Sequence, residues 1–251
     1  MNAIVTGASS GIGEATARLL SDEGWRLLLA ARRADRLERL AGELRDAAPV
    51  AVDLTDPDAP RRVREAAEER FGGRLELLVN NAGGSRRAAF GDPDGGYENV
   101  HEIMELNFDA PVRLTEELLP ILRASAPSSI VNVSSVAGRV ARPRTGAYSA
   151  SKFALAGWSD ALHMEEARNG VHVGLVLPGF IATEGFPQEE LRSNPRMRWL
   201  VSTPDKVAKA ILRAGPGGSP EVVVPRVYRI APVLRAVAPA VIRRGAGGMS
   251  P

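Results

Sequence analysis

The chain has 251 residues, 44% of them hydrophobic and 25% charged, which suits one large α/β domain or two small ones and excludes a disordered chain. A net charge of +2, with no dense basic block before the last quarter, excludes nucleic acid as the main partner. Without cysteine, and with His101, His163 and His172 not spaced as metal ligands, neither disulfides nor thiolate catalysis nor a metal site is expected.

The opening segment enters a strand pattern at Ala3, leaving no room for a secretion signal. No apolar run approaches the roughly eighteen residues needed to cross a bilayer, so a cytoplasmic protein is expected. Short runs rich in Val, Ile and Leu predict strands at 3–6, 26–30, 50–52, 75–80, 129–134, 171–177 and 221–224. Helical periodicity between them predicts helices at 12–23, 35–46, 57–70, 97–123, 147–168 and 204–214. Strands alternating with helices imply a single-domain Rossmann fold, with a seven-stranded, mostly parallel, doubly wound sheet and helices on both faces. Residues 1–225 form that domain and 226–251 an extension. Residues 84–96 and 179–203 break the rhythm after carboxyl ends of strands, where open α/β sheets bind ligands.

The first strand runs into Thr6-Gly7-Ala8-Ser9-Ser10-Gly11-Ile12-Gly13 and then a helix. Glycines there allow a tight turn and close backbone approach to a pyrophosphate, whose charge meets the helix N-terminus. The second strand ends in Ala31-Arg32-Arg33, where a dinucleotide fold brings the adenosine ribose. An acid at that position accepts from a 2′-hydroxyl, whereas arginine accommodates a 2′-phosphate, so the cofactor is read as NADP(H). Tyr148 and Lys152, four residues apart, share one face of a helix. There the ammonium can favour the ionised phenol of a proton-transferring tyrosine.

Together these motifs resemble the classical short-chain dehydrogenase/reductase family, of the NADP-preferring type, over about residues 2–224. The resemblance places Gly7, Ser9, Ser10, Gly11, Ile12 and Gly13 in the nucleotide loop and Arg32 at the 2′-phosphate, with Arg33 and Ser9 as helpers. It places Asp53, in Val52-Asp53-Leu54, at the adenine amino group, with Leu54 beside it. Asn80-Asn81-Ala82-Gly83 matches a motif beside the cofactor, contributing Asn81, Ala82 and Gly83. Asn107 aligns with a catalytic asparagine that holds a relay water. Ser134 and Ser135 both follow a strand, and the family spacing of thirteen residues before the tyrosine selects Ser135. Pro178-Gly179-Phe180-Ile181-Ala182-Thr183 matches a further cofactor segment, with Ile181 at the nicotinamide carboxamide and Thr183 at the carboxamide or phosphate. Tyr148 and Lys152 complete both the catalytic set and the cofactor contacts.

The implied reaction is reversible hydride transfer between nicotinamide and a ketone, aldehyde or secondary alcohol, with Tyr148 as general acid/base. The substrate pocket is expected near 84–96, 136–146 and 184–203. There Arg139, Arg142 and Arg144 stand between serine and tyrosine, either as solvated charges or as attractors of an acidic group. A regulator that senses NADP(H) without turnover, or an isomerase, epimerase or dehydratase, is the alternative. The resemblance also implies a homodimer or homotetramer built through the helices at 97–123 and 147–168. Residues 226–244 carry five arginines and no acid among apolar residues. Such a segment suits its own domain, a partner subunit or peripheral contact with an anionic membrane.

Overall fold

The computed structural model describes residues 1–184, 193–194 and 198–240. The described elements in chain order are β1 (Asn2–Thr6), α1 (Gly11–Asp22), β2 (Arg26–Ala31), α2 (Ala34–Glu43), β3 (Ala47–Ala51), α3 (Ala59–Phe71), β4 (Leu77–Asn80) and α4 (Gly96–Met104). After a π-helical turn at Glu105–Asp109 come α5 (Ala110–Ala124), β5 (Ser128–Val133), α6 (Gly146–Glu166), β6 (Val171–Pro178), β7 (Phe180–Ile181), β8 (Val201–Ser202), α7 (Pro204–Ala214), β9 (Glu221–Val224) and α8 (Ile230–Val237).

Seven strands form one sheet in the order β3-β2-β1-β4-β5-β6-β9, and every pairing in it is parallel. Successive strand side chains point to opposite faces, and both faces are apolar. Val5, Leu27, Leu29, Leu77 and Val79 pack in one core with Leu20 of α1, Leu37 of α2 and Ile211 of α7. Ile4, Leu28, Leu78 and Ile130 turn the other way, against Val63 of α3, Leu114 and Leu118 of α5 and Leu162 of α6. The strand order reverses between β1 and β4, which opens a crevice beyond their carboxyl ends.

Several expected boundaries move. The third strand begins at Ala47 rather than 50, in register with Leu27 of β2. Ala-Ala-Pro is a poor strand sequence, but β3 lies at the sheet edge, where Pro49 need not donate to a further neighbour. The helix expected over 35–46 ends at Glu43, because Leu44 turns extended. The helix expected over 97–123 is divided by the π-helical turn that carries Asn107. A two-stranded pairing of β7 with β8 has no counterpart in the sequence reading. The expected loop 184–203 lies partly outside the described residues.

The chain after β9 packs on its own domain as far as it is described. Tyr228, in a 3₁₀ turn at Arg226–Arg229, donates to the Leu200 carbonyl at 3.1 Å and stands edge-on to Phe180. Arg235 of α8 donates to the Arg139 carbonyl at 3.0 Å and lies over the Phe153 ring. Pro232 fits near the start of α8 and Pro239 follows its end, as a proline-bounded short helix requires. Ile230, Val233 and Val237 remain exposed. Among the described residues, no helix is long and apolar enough to cross a membrane.

Candidate active site

The carboxyl ends of β1, β2, β3 and β4 supply one cleft of about 500 Å³. Its lining includes Gly7, Ser9, Ser10, Gly11 and Ile12 from the first turn, Arg32, Arg33, Asp53 and Leu54 from the next two, and Asn81, Ala82, Gly83 and Thr183. Ala31, Val52, Leu106 and Glu184 also line it. The first three are simply neighbours of residues already singled out, and Glu184 is held there by its ion pair with Arg36 at 2.6 Å.

The first turn is shaped for close backbone approach. Gly7 has φ +65°, and a Cβ on it would lie 2.9 Å from the Ala82 Cα; one on Gly13 would collide with the Gly7 carbonyl. Gly13 therefore closes the turn from behind and does not line the cleft. Thr6 braces the same place, its hydroxyl donating to the Val79 carbonyl and accepting from the Asn81 and Ala82 amides at 2.9 and 3.0 Å. Its position as the first residue of the loop motif was the available signal for that role.

The two arginines after β2 behave differently. Arg33 turns back to the loop, donating to the Ser10 hydroxyl at 2.7 Å and the Ser9 hydroxyl at 2.9 Å. Arg32 stays exposed, 3.9 Å from Asp53. Asp53 also accepts from the Thr55 amide and hydroxyl. Those bonds and the Arg32 charge hold its carboxyl below the usual range in spite of partial burial. The cluster thus offers arginine and hydroxyl donors beside the amino end of α1, and its backbone cradle admits no extra Cβ. A dinucleotide with a 2′-phosphate fits that donor set.

The second group lies where β5 and α6 meet. Ser135 donates to the Pro178 carbonyl at 3.2 Å and accepts from the Ala137 amide at 3.1 Å, and its hydroxyl is near enough to the Tyr148 phenol to favour the ionised form. Ser134 instead donates to the Lys152 carbonyl at 2.8 Å, so it ties β5 to α6 and faces away from the phenol. Lys152 is buried, its Nζ donating to the Val133 carbonyl at 3.0 Å and lying 5.9 Å from the Tyr148 ring centroid. Burial pulls its ammonium down to about 8.

The expected lowering of the tyrosine is not the balance found here. Burial pushes the Tyr148 phenol above its ordinary value, and the nearby Ser135 hydroxyl and the Arg142 charge oppose that push. The sequence spacing foresaw the shared helix face but not the Val133 carbonyl that engages the ammonium.

Asn107 is fully buried. Its amide donates to the Gly84 carbonyl at 2.9 Å and the Ser151 hydroxyl at 3.0 Å, and its Oδ1 accepts from the Gly84 amide at 2.8 Å. It thereby fastens the 83–84 turn to α6 one residue before Lys152. A Cβ on Gly83 would sit 3.0 Å from Asn107 Oδ1 and 3.4 Å from Lys152 Nζ, so the cleft wall and the buried lysine are adjacent. Pro178 and Gly179 sit behind Ser135 and Tyr228, Ile181 is buried, and Thr183 reaches over Gly11. Among the described residues no acid, histidine or cysteine cluster could hold a metal.

The short chain dehydrogenase family profile matches residues 1–193. The chain belongs to that family. It is 40% identical over 218 residues to Protein FixR of Bradyrhizobium diazoefficiens, covering 83% of this chain and 77% of that relative. It is 35% identical over 190 residues to the Bos taurus dehydrogenase/reductase SDR family member 7B, covering 72% of this chain but only 58% of that relative. Among solved structures, a Pseudomonas aeruginosa RhlG/NADP active-site complex superposes with TM-score 0.77 at 30% identity, covering 89% of this chain and 94% of that one. Family membership makes the protein an oxidoreductase by class and accounts for the Rossmann-like sheet.

Proposed function

We propose that the protein is an NADP(H)-dependent oxidoreductase that interconverts a ketone or aldehyde with the corresponding alcohol. The observation that carries this reading is the buried Lys152 ammonium 5.9 Å from the Tyr148 ring centroid, with Ser135 on the neighbouring strand end. The NADP in the RhlG structure supports the choice of cofactor, as do Arg32 and Arg33 at the end of β2.

Arg32 would meet a 2′-phosphate, with Arg33, Ser9 and Ser10 beside it and the amino end of α1 toward the pyrophosphate. Asp53 would accept from the adenine, and Ile181 and Thr183 would border the nicotinamide end. When bound, the nicotinamide supplies or removes the hydride at the substrate carbon. Ser135 releases the Pro178 carbonyl and donates to the substrate oxygen, stabilising the charge that develops there. Tyr148 passes its phenolic proton to that oxygen, which leaves as the alcohol hydroxyl. Lys152, cationic below about 8, stabilises the phenolate until it regains a proton from solvent. Asn107 acts by holding α6 and the Gly83 turn in place, and the second lone pair of its Oδ1 is available to a relay water.

Loss of NADPH absorbance across a panel of ketones and aldehydes tests the reading. Steady NADPH consumption is expected, lowered about 10²–10⁴-fold by Tyr148→Phe with NADPH binding unchanged. Tight NADPH binding without consumption of any carbonyl would overturn it in favour of a sensor. Conversion of substrate without net NADPH loss would favour an isomerase or dehydratase.

A further inference from the structure

Three arginines occupy the loop between Ser135 and Tyr148, and the structure gives them unequal surroundings. Arg139 pairs with Glu221 at 2.8 Å and Asp160 at 3.4 Å. Arg144 pairs with Asp92 at 3.0 Å, fastening this loop to the 84–96 segment. Arg142 has no carboxylate within ion-pair distance among the described residues. Its guanidinium carbon lies 4.8 Å from the centroid of the Phe180 ring, next to Gly179 at the end of β6.

That placement is half-buried and stands over the 178–183 segment, whose Thr183 lines the cleft. Burial and the neighbouring Arg87 both work against the Arg142 charge, and the Tyr148 and Tyr228 phenols, whose pKa values are raised, are neutral near pH 7 and supply no counter-charge. A guanidinium cannot escape by losing its proton, and a desolvated cation calls for an acceptor. The aromatic shelf supplies part of that stabilisation. The cofactor's phosphates would have their own donors at Arg32, Arg33, Ser9 and Ser10, which line the cleft without Arg142. Among the described residues no carboxylate meets Arg142, and a substrate acid is the partner its fork would take.

We propose that Arg142 binds a carboxylate of the substrate, so that the enzyme reduces oxo acids to hydroxy acids or runs the reverse. A single planar fork matches a singly charged carboxylate through paired hydrogen bonds. In the reaction the carbonyl carbon takes a hydride from NADPH, the carbonyl oxygen takes the Tyr148 proton, and the carboxylate keeps its charge throughout. This deepens the oxidoreductase reading and rests on it.

The test compares levulinate and acetoacetate with their methyl esters, using the full chain and NADPH. Wild type is expected to prefer each acid by about tenfold or more in kcat/KM, the worth of a hydrogen-bonded charge. Arg142→Gln brings the acid-to-ester ratio toward one, Arg142→Lys keeps part of the preference, and Arg139→Gln leaves the ratio as in wild type. NADPH binding and the unfolding midpoint confirm that each variant is folded. Turnover of carbonyls with no acid preference, or a preference that survives Arg142→Gln, defeats the Arg142 assignment alone. A matching phosphonate favoured over the carboxylate defeats it as well. NADPH binding without reduction of any acid, ester or panel carbonyl defeats the oxidoreductase reading and this inference with it.

Discussion

Lys152 of α6 donates from Nζ to the carbonyl of Val133, the last residue of β5, at 3.0 Å. The bond secures a charge that burial disfavours, and its cost is measurable. Folded, the ammonium titrates at about 8 against an ordinary 10.5. Between those values the unfolded chain holds the additional proton, so stability rises with pH there; below 8 both states are charged and the destabilisation is complete. Thermal unfolding of the cofactor-free protein from pH 7 to 10 should show wild type gaining relative to Lys152→Met. Parallel curves for the two proteins would mean that the lysine titrates normally. The raised Tyr148 pKa acts in the opposite direction, but only above about 10.

Asn107 is predicted to matter for stability as well as activity. Asn107→Leu keeps the volume but leaves the amide and carbonyl of Gly84 without their partner, while Ser151 keeps its bond to the Tyr148 carbonyl; each polar group left unpaired costs up to about 1–3 kcal/mol. For a chain of this size, a loss of that order lowers the unfolding midpoint by about 2–4 °C per kcal/mol. A calorimetric midpoint equal to wild type would show that the π-helical turn does not depend on this side chain.

Arg32 and Arg33 should separate in cofactor titrations. Exposed Arg32, with only a 3.9 Å contact to Asp53, can serve the 2′-phosphate alone. Arg32→Ala is therefore expected to weaken NADPH about tenfold or more while leaving NADH nearly unchanged. Arg33 also organises Ser9 and Ser10, so Arg33→Ala should weaken both nucleotides. Equal losses for both nucleotides in Arg32→Ala would move the phosphate site elsewhere.

The parts of this design visible in the sequence are those set by local constraints. Strands buried on both faces announce themselves as runs such as Leu27-Leu28-Leu29, and the first glycine turn follows directly from β1. Tyr148 and Lys152 share a face because a helix requires it, while the choice of Ser135 over Ser134 came from the spacing that the family resemblance implies. Features decided by distant partners were hidden. Arg139, Arg142 and Arg144 look equivalent until Glu221, Asp160 and Asp92 arrive from other parts of the chain. The third strand was expected at 50–52, and only its pairing with β2, Leu29 opposite Pro49, shows that it begins at Ala47. The environment of Lys152 depended on a backbone carbonyl that no side-chain pattern records.

Gly179 offers the last prediction, because the extension after β9 depends on its missing side chain. A Cβ there would run into the Tyr228 ring, whose hydroxyl is tied to Leu200 and whose edge meets Phe180. Gly179→Ala should therefore displace Tyr228 and, through Phe180, the shelf under Arg142. Overpacking of this kind costs about 1–3 kcal/mol. Tyr228→Ala alone should also destabilise, by removing a packed ring, but the double variant should lose clearly less than the two singles added together. Denaturant unfolding of the four proteins gives the coupling directly. Simple additivity would mean that the ring and the Pro178-Gly179 turn do not press on each other in solution.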